Sequence, residues 1–430
     1  MASNSVSAWQ GLLATFAPIF TAPSFAVFSR LMTGWVLATG RRTIASIFPF
    51  ADPQRERSVH SLYSFLRRAS WDLKDLWRTW ALILIPELLR KSLKLLFTLD
   101  DTLLHKSGLH INGVAWWRDA VRSTGKKVVH ALGLNVVILC VKVPLPWGGE
   151  PLSLPINMRI HRKGDKTPIQ LADDMIQEFH EWFPDLLMDL VADGAYAALV
   201  THDIPSMTLT SRLRRDAAIF AMPPTKRGPG CSRGPMPSKG RRLLTPAKLA
   251  LTIRKWTRAV VNERGKLRDR LLYSRRVIWN GTKILLVIVR DPKGRQPDDF
   301  FFTKDLSASA AEVASKYADR WTIEDTNKWV KQALGIEEPQ VQAREAPEKA
   351  CAIGLILYGL VWLWFLNTGV ESFDLERDKR YPTQGKASFW DALGKLREAL
   401  WREELAGKYQ ELSELGGVLN AMIRALANAA

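Results

Sequence analysis

The sequence predicts an α/β core flanked by helical regions, and three observations carry that prediction. Apolar, β-branched runs between residues 93 and 222 enclose one helical stretch, and two of them end in carboxylates. Apolar residues recur at helical spacing before residue 92 and again after residue 346. Between these parts, an Asn280-Gly281 turn joins two strand-like runs inside a strongly basic segment.

Residues 1–92 read as a helical N-terminal region, with Phe25, Phe28, Leu31 and Met32 on one face and Leu62, Phe65 and Leu66 repeating the spacing. Arg41, Arg42, Arg55, Arg57, Arg67 and Arg68 accompany Trp71, Trp77 and Trp80; phosphate contacts and a solvated bundle face explain them equally. Residues 93–222 form the first part of the core. LKLLFTLDDT (93–102), His110 to Trp117 and KVVHALGLNVVILCVKV (127–143) give successive strands. A helix runs from Ile169 to Phe183 and Pro184 closes it. DLLMDLVADGAYA (185–197) is a short buried strand ending at Asp193-Gly194, and DAAIFAM (216–222) is one more strand.

Residues 223–308 form a basic, strand-containing insertion. The chain has 61 basic and 43 acidic residues, a net charge of +18. Residues 212–276 alone hold nineteen basic against three acidic residues. Such an excess points to a polyanionic partner, nucleic acid before a membrane surface. PPTKRGPGCSRGPMPSKGRR (223–242) is too rich in Pro, Gly and Arg to pack, so residues 223–245 are expected to be mobile until nucleic acid orders them. Strands follow at Arg276–Arg290 and Asp299–Asp305.

Residues 309–345 complete the core, with one long helix over 309–335. Residues 346–430 form a helical C-terminal region. There CAIGLILYGLVWLWFL (351–366) is sixteen uncharged residues, short of the roughly 20 that cross a bilayer. It reads as a core helix, and no membrane is expected among the partners. Phe389–Leu400 and Leu405–Leu426 carry leucine-rich helical spacing suited to subunit contacts. Cys140, Cys231 and Cys351 lack CxxC or His-paired spacing, which fits a reducing compartment without a disulfide framework or zinc site. The N-terminal stretch lacks a basic leader before its apolar residues, and Pro23 and Arg30 interrupt it, which argues against a signal peptide or spanning helix.

Within the helix over 309–335, Tyr317, Arg320, Glu324 and Lys331 fall on one stripe, and Lys328 joins it. An ordinary charged face has such a composition. So has a site for phosphodiester chemistry, where Glu324 holds a metal and the cations take the flanking phosphates.

The spacing Tyr317-x2-Arg320-x3-Glu324-x6-Lys331 resembles the Y-x2-R-x3-E-x6-K signature of insertion-sequence DDE transposases, those of the fourth insertion-sequence family and its close relatives. LDDT (99–102) and VADGAYA (191–197) resemble that family's first and second aspartate motifs, in the same order. Asp100 and Asp101 project to opposite faces of a strand, so only one can join the site. Asp101 is chosen, because the family's catalytic aspartate stands directly before threonine. The resemblance implies an RNase H-like core whose catalytic, metal-holding residues are Asp101, Asp193 and Glu324, with two Mg²⁺ ions, or Mn²⁺ in their place. Hydrolysis of a DNA phosphodiester needs an activated nucleophile and neutralised phosphate charge, which two such ions supply through hard oxygen ligands.

The resemblance further implies cut-and-paste transposition: binding of terminal inverted repeats in double-stranded DNA, cleavage, and joining of the freed 3′-hydroxyl to target DNA by a homodimer in the bacterial nucleoid. Tyr317, Arg320, Lys328 and Lys331 would contact DNA near the scissile bond; Tyr317 packed in the core, or Arg320 paired with Asp319 or Glu324, is the structural alternative. Arg241, Arg242, Arg254, Lys255 and Trp256 would contact DNA from the insertion. Trp256 and Trp279 stand where relatives hold a flipped base, although burial explains most indoles. A non-catalytic DNA-binding protein, or an RNase H-like nuclease acting on branched nucleic acid, are the rival readings.

Overall fold

The computed structural model describes residues 2–90, 92–202, 204, 206–224, 236–368, 387–408, 422–423 and 425–428. Five helices come first: α1 (Ala2–Ala14), α2 (Ala22–Leu37), α3 (Ile44–Ala51), α4 (His60–Arg67) and α5 (Leu73–Leu89). The side chains of Thr21, Thr43 and Asp72 accept backbone N–H groups at the starts of α2, α3 and α5, which fixes where those helices begin. Trp71, Trp77 and Trp80 are buried, so the indoles expected beside a basic surface are core residues. Trp71 stacks on Phe65, with ring centroids 5.2 Å apart.

The strands are β1 (Lys94–His105), β2 (Ala115–Arg118), β3 (His130–Val143) and β4 (Leu152–His161). After α6 (Pro168–Trp182) come β5 (Leu187–Ala192) and β6 (Met207–Arg212). Then follow α7 (Pro246–Thr252), β7 (Thr257–Glu263), β8 (Lys266–Trp279), β9 (Thr282–Arg290) and β10 (Asp299–Thr303). All ten strands join one sheet in the order β2-β3-β1-β5-β6-β10-β9-β8-β7, with β4 also on β3. β1, β5 and β6 are parallel and the remaining pairs antiparallel. This is a mixed α/β fold consistent with an RNase H-like core.

Three strands, β4, β6 and β7, are not among those expected, and β8 begins ten residues ahead of the expected Arg276. β4 carries Pro155, which cannot donate to a ladder; it sits where the β3–β4 register shifts at Leu139/Cys140, and its carbonyl accepts from the Trp80 indole at 2.7 Å. β6 reads MTLTSR, yet Thr210 and Ser211 are buried because each hydroxyl has a partner, Thr303 Oγ1 at 3.1 Å and the Asp193 carbonyl at 3.0 Å. Conversely, 216–222 is not a strand: Phe220 makes only isolated bridges, to Arg242 and Ile278. Through them residues 240–243 are pinned beside 219–221 by backbone hydrogen bonds of 2.9 Å, so that end of the expected mobile loop is anchored. Residues 225–235, with Cys231, lie outside the described residues.

The chain continues with α8 (Ala310–Ala318), α9 (Thr322–Gln332), α10 (Ala346–Asn367) and α11 (Phe389–Lys408). The expected long helix over 309–335 is therefore two helices joined by a 3₁₀ turn at Asp319–Trp321. The Asp319 carbonyl accepts the Thr322 N–H in the tighter 3₁₀ pattern and also accepts from Thr322 Oγ1 and Lys142 Nζ, both at 3.0 Å. Of the C-terminal leucine-rich helices, the first is α11; the second lies mostly outside the described residues.

α10 is long and apolar enough to cross a membrane, but 89% of its apolar window is buried inside the protein, against the N-terminal helices, β4 and α11. The indole of Trp364 reaches the Ser5 carbonyl at 2.8 Å. A Cβ on Gly359 would lie 2.4 Å from Trp80, a contact no neighbour can relieve cheaply because the indole is fully buried. Gly359→Ala is expected to lower stability by roughly 1–3 kcal/mol, read as a reduced denaturant midpoint with an unchanged slope.

Candidate active site

β1 and β5 run in parallel with Leu99 opposite Ala192, so the next residues, Asp100 and Asp193, emerge side by side at the ends of the paired segment. Register partners in parallel strands point to the same face. On that face lie the end of α8, the 3₁₀ turn and α9. Tyr317 Oη donates to Asp193 Oδ1 at 3.3 Å. Arg320 Nη1 donates to Asp100 Oδ2 at 2.7 Å and Nη2 to Glu324 Oε1 at 3.0 Å. Lys331 Nζ donates to the Leu103 carbonyl at 2.8 Å.

Tyr317, Arg320 and Lys331 of the helix signature therefore bond to β1 or to Asp193 at the end of β5, and Glu324 joins them through Arg320, despite the break at residues 319–321. Lys328 is exposed and lies over the Trp329 ring at 4.8 Å, away from this row. Asp101, expected to be the aspartate that joins the site, is exposed and turned to the opposite face. There Tyr196 Oη donates to its Oδ1 at 3.1 Å. Strand alternation puts Asp100, not Asp101, on the face of Arg320 and Glu324.

Several residues without an expected role hold the helix in place. Ser153 Oγ on β4 lies 2.5 Å from Thr322 Oγ1, and Thr326 Oγ1 donates to the Ser153 carbonyl at 2.6 Å. Lys142 on β3 reaches Asp319 through both its carbonyl and its carboxylate. At the β7–β8 turn, the Arg264 guanidinium lies over the Trp321 ring, 3.7 Å from its centroid. No sequence pattern linked these positions, because the contacts pair residues between 57 and 177 positions apart.

Electrostatics make the site unusual. Burial pushes the Asp100 carboxyl up to about 7; Arg320 opposes that shift, and the charges of Asp101 and Asp193 add to it. Glu324 is raised for the same first reason, again against Arg320. Burial also pushes Tyr317 up to about 12, so it stays a neutral donor at ordinary pH. Tyr317 is stacked on Phe301, centroids 4.3 Å apart, so it is both a core residue and a ligand of Asp193. Burial lowers Lys331.

Residues 15–270, more than half of the chain, match the family described as DDE superfamily endonuclease. The chain belongs to that family. The match takes in Asp100, Asp101 and Asp193 and ends ahead of Glu324, whose place beside Arg320 comes from the structure of this DDE endonuclease. No curated protein matches the chain significantly.

DDE endonucleases use divalent metal ions. The donor set here fits such an ion chemically: Asp100, Asp193 and Glu324 are hard carboxylate oxygens from three separate elements. Among the described residues, however, no three His, Cys, Asp or Glu side chains converge closely enough to hold a metal as they stand. The guanidinium of Arg320 stands between two of the three.

Were Asp100 to hold a metal ion it would first have to lose its proton, so Mn²⁺ affinity would rise by up to about tenfold per pH unit below pH 7 and flatten above it. The sign follows from a folded-state value above the ordinary 3.8: the metal-free protein favours the protonated acid until the pH passes 7. Mn²⁺ titrations between pH 6 and 8 read this directly.

Outside this cluster, Arg241, Arg242, Arg254 and Lys255 are exposed and have no ion-pair partner among the described residues. Other cations of the basic segment are neutralised internally: Arg212 by Asp299, Arg214 by Asp216, Arg258 by Asp269 and Arg270 by Glu263. Trp256 is half-buried under the Arg290 guanidinium at 4.2 Å, and Trp279 packs on Phe302 at 5.0 Å.

Proposed function

We propose that this DDE endonuclease is a cut-and-paste DNA transposase akin to the fourth insertion-sequence family. It would bind the terminal inverted repeats of its element, cut there, and join the 3′-hydroxyl ends to target DNA. The observation that carries the proposal is that Asp100 and Asp193 emerge side by side from β1 and β5 while Arg320 ties Asp100 to Glu324, Tyr317 bonds Asp193 and Lys331 bonds the Leu103 carbonyl. Asp100, Asp193 and Glu324 would hold Mg²⁺ or Mn²⁺. Two bound ions supply an activated water and a stabilised leaving oxygen.

The protein's own residues do the positioning. Tyr317 orients Asp193, Arg320 and Lys331 offer charge to the phosphates beside the scissile bond, and the Ser153–Thr322–Thr326 bonds fix the helix that carries Glu324. Residues 223–308 act as the basic insertion, with Arg241, Arg242, Arg254 and Lys255 on the DNA backbone. The N-terminal helices add DNA contacts, the C-terminal helices join two subunits across the paired ends, and the protein works on the bacterial nucleoid.

The test is cleavage of a labelled duplex carrying the element's terminal repeats, with Mg²⁺, by the wild type, Asp193→Asn and Glu324→Gln. The expected result is cutting at the repeat ends by the wild type alone, with binding retained by all three. Cutting of branched or hybrid substrates without preference for the repeats would replace the transposase by a structure-selective nuclease. Undiminished cutting by Glu324→Gln would remove the carboxylate assignment.

A further inference from the structure

Arg320 is buried too deeply for a residue whose only task is to meet DNA. Its side chain is 9% exposed, and its guanidinium is spanned between Asp100 and Glu324, with Asp193 also attracting it. The oxygens it occupies, Asp100 Oδ2 and Glu324 Oε1, belong to two of the three carboxylates that a divalent cation would need. A guanidinium and a metal ion compete for that gap, because both are positive and both draw on the same two carboxylates. Without Arg320 the buried Asp100 would lose the cation that opposes its shift, and Glu324 would keep only Arg264 nearby.

A second feature points to another ligand. Arg320 Nε is buried and has no hydrogen-bond acceptor. A buried donor left unpaired is costly and is normally satisfied. The planar fork of arginine, Nε together with one Nη, matches two oxygens of a phosphate. The guanidinium is therefore held by two carboxylates while one of its donors still lacks the acceptor that a phosphodiester would bring.

We propose that Arg320 is an internal countercharge that fills the gap between Asp100 and Glu324 until DNA arrives, and that a strand phosphate then draws its guanidinium away and opens the carboxylates to the divalent cation. DNA and metal binding become cooperative through one side chain, and the cooperativity is reciprocal. A nuclease so built does not carry a loaded site when no DNA is bound. The inference rests on the reading of Asp100, Asp193 and Glu324 as metal ligands.

The experiment is a calorimetric Mn²⁺ titration of the full chain, with and without a duplex ending in a pre-cut terminal repeat, for the wild type and Arg320→Gln. The expected results are roughly tenfold or more tighter Mn²⁺ binding by Arg320→Gln than by the wild type without DNA, and tightening by DNA in the wild type only. Binding by Arg320→Gln no tighter than wild type, or equal tightening by DNA in both, overturns the proposal. If Arg320→Gln does not fold, Arg320→Met carries the same test, since it keeps the apolar stem and removes the charge. It should bind Mn²⁺ more tightly than the wild type, and no tightening overturns the proposal. Adding Glu324→Gln separates the two levels of the argument. If it abolishes the tight binding, the carboxylates hold the ion; if it leaves binding unchanged, the metal sits elsewhere and both readings fail together.

Discussion

Asp100→Asn should abolish DNA cleavage while Asp101→Asn should leave it within about threefold of wild type. The substitution is nearly isosteric, so the two variants differ mainly in which face of β1 loses a carboxylate. Asp100 shares Arg320 with Glu324 and emerges beside Asp193. Asp101 accepts from Tyr196 on the far side of the strand. Outer-shell partners of metal ligands are worth roughly 10–100-fold, so loss of a ligand itself should cost on the order of a thousandfold or more. The measurement is single-turnover cleavage of a repeat-end duplex at saturating protein, with binding followed separately. The reverse ranking would restore Asp101 and would require the end of β1 to be rotated relative to β5.

The second large effect is expected on binding. Replacing Arg241, Arg242, Arg254 and Lys255 together by Ala should flatten the dependence of log affinity on log salt by about 3–4, near 0.9 for each lost phosphate contact. That slope corresponds to a loss on the order of a thousandfold near 0.15 M salt. The loss should be similar for repeat and unrelated duplexes, because backbone contacts position without reading sequence. Arg258→Ala with Arg270→Ala should weaken binding far less, since Asp269 and Glu263 already neutralise those two. Equal losses from both sets would mean that the internal pairs open on DNA.

Much of this arrangement was legible in the residues, for identifiable reasons. The run before Asp100 is apolar and the one over 127–143 is β-branched as well, the Asn280-Gly281 pair adopts positive φ at both positions as the hairpin between β8 and β9 requires, and Thr167 and Gln170 form the capping box that starts α6. β4 and β6 were not legible. Pro155 at a register shift and the paired hydroxyls of Thr210 and Ser211 disguise buried strands as polar turns, since a hydroxyl with a partner can be buried cheaply. The break between α8 and α9 is also tertiary in origin: Lys142, on a strand far upstream, takes the Asp319 carbonyl. Spacing found the four signature residues, whereas choosing between two adjacent aspartates required the pairing of β1 with β5.

The N-terminal helices depend on the far end of the chain. The Trp35 indole donates to the Leu334 carbonyl at 2.7 Å, and the buried Arg397 guanidinium binds the Val36 and Ala38 carbonyls at 2.6 and 3.2 Å, closing the end of α2. These partners are separated from α2 by about three hundred residues or more. During synthesis the first helices leave the ribosome long before α10 and α11 exist to cover them. Their apolar faces must be shielded by other means for the seconds that several hundred residues take to translate, at roughly 5–20 residues per second. Premature termination anywhere before residue 397 thus leaves an N-terminal fragment with no finished interior, a species for proteases and chaperones and not an independent DNA-binding remnant.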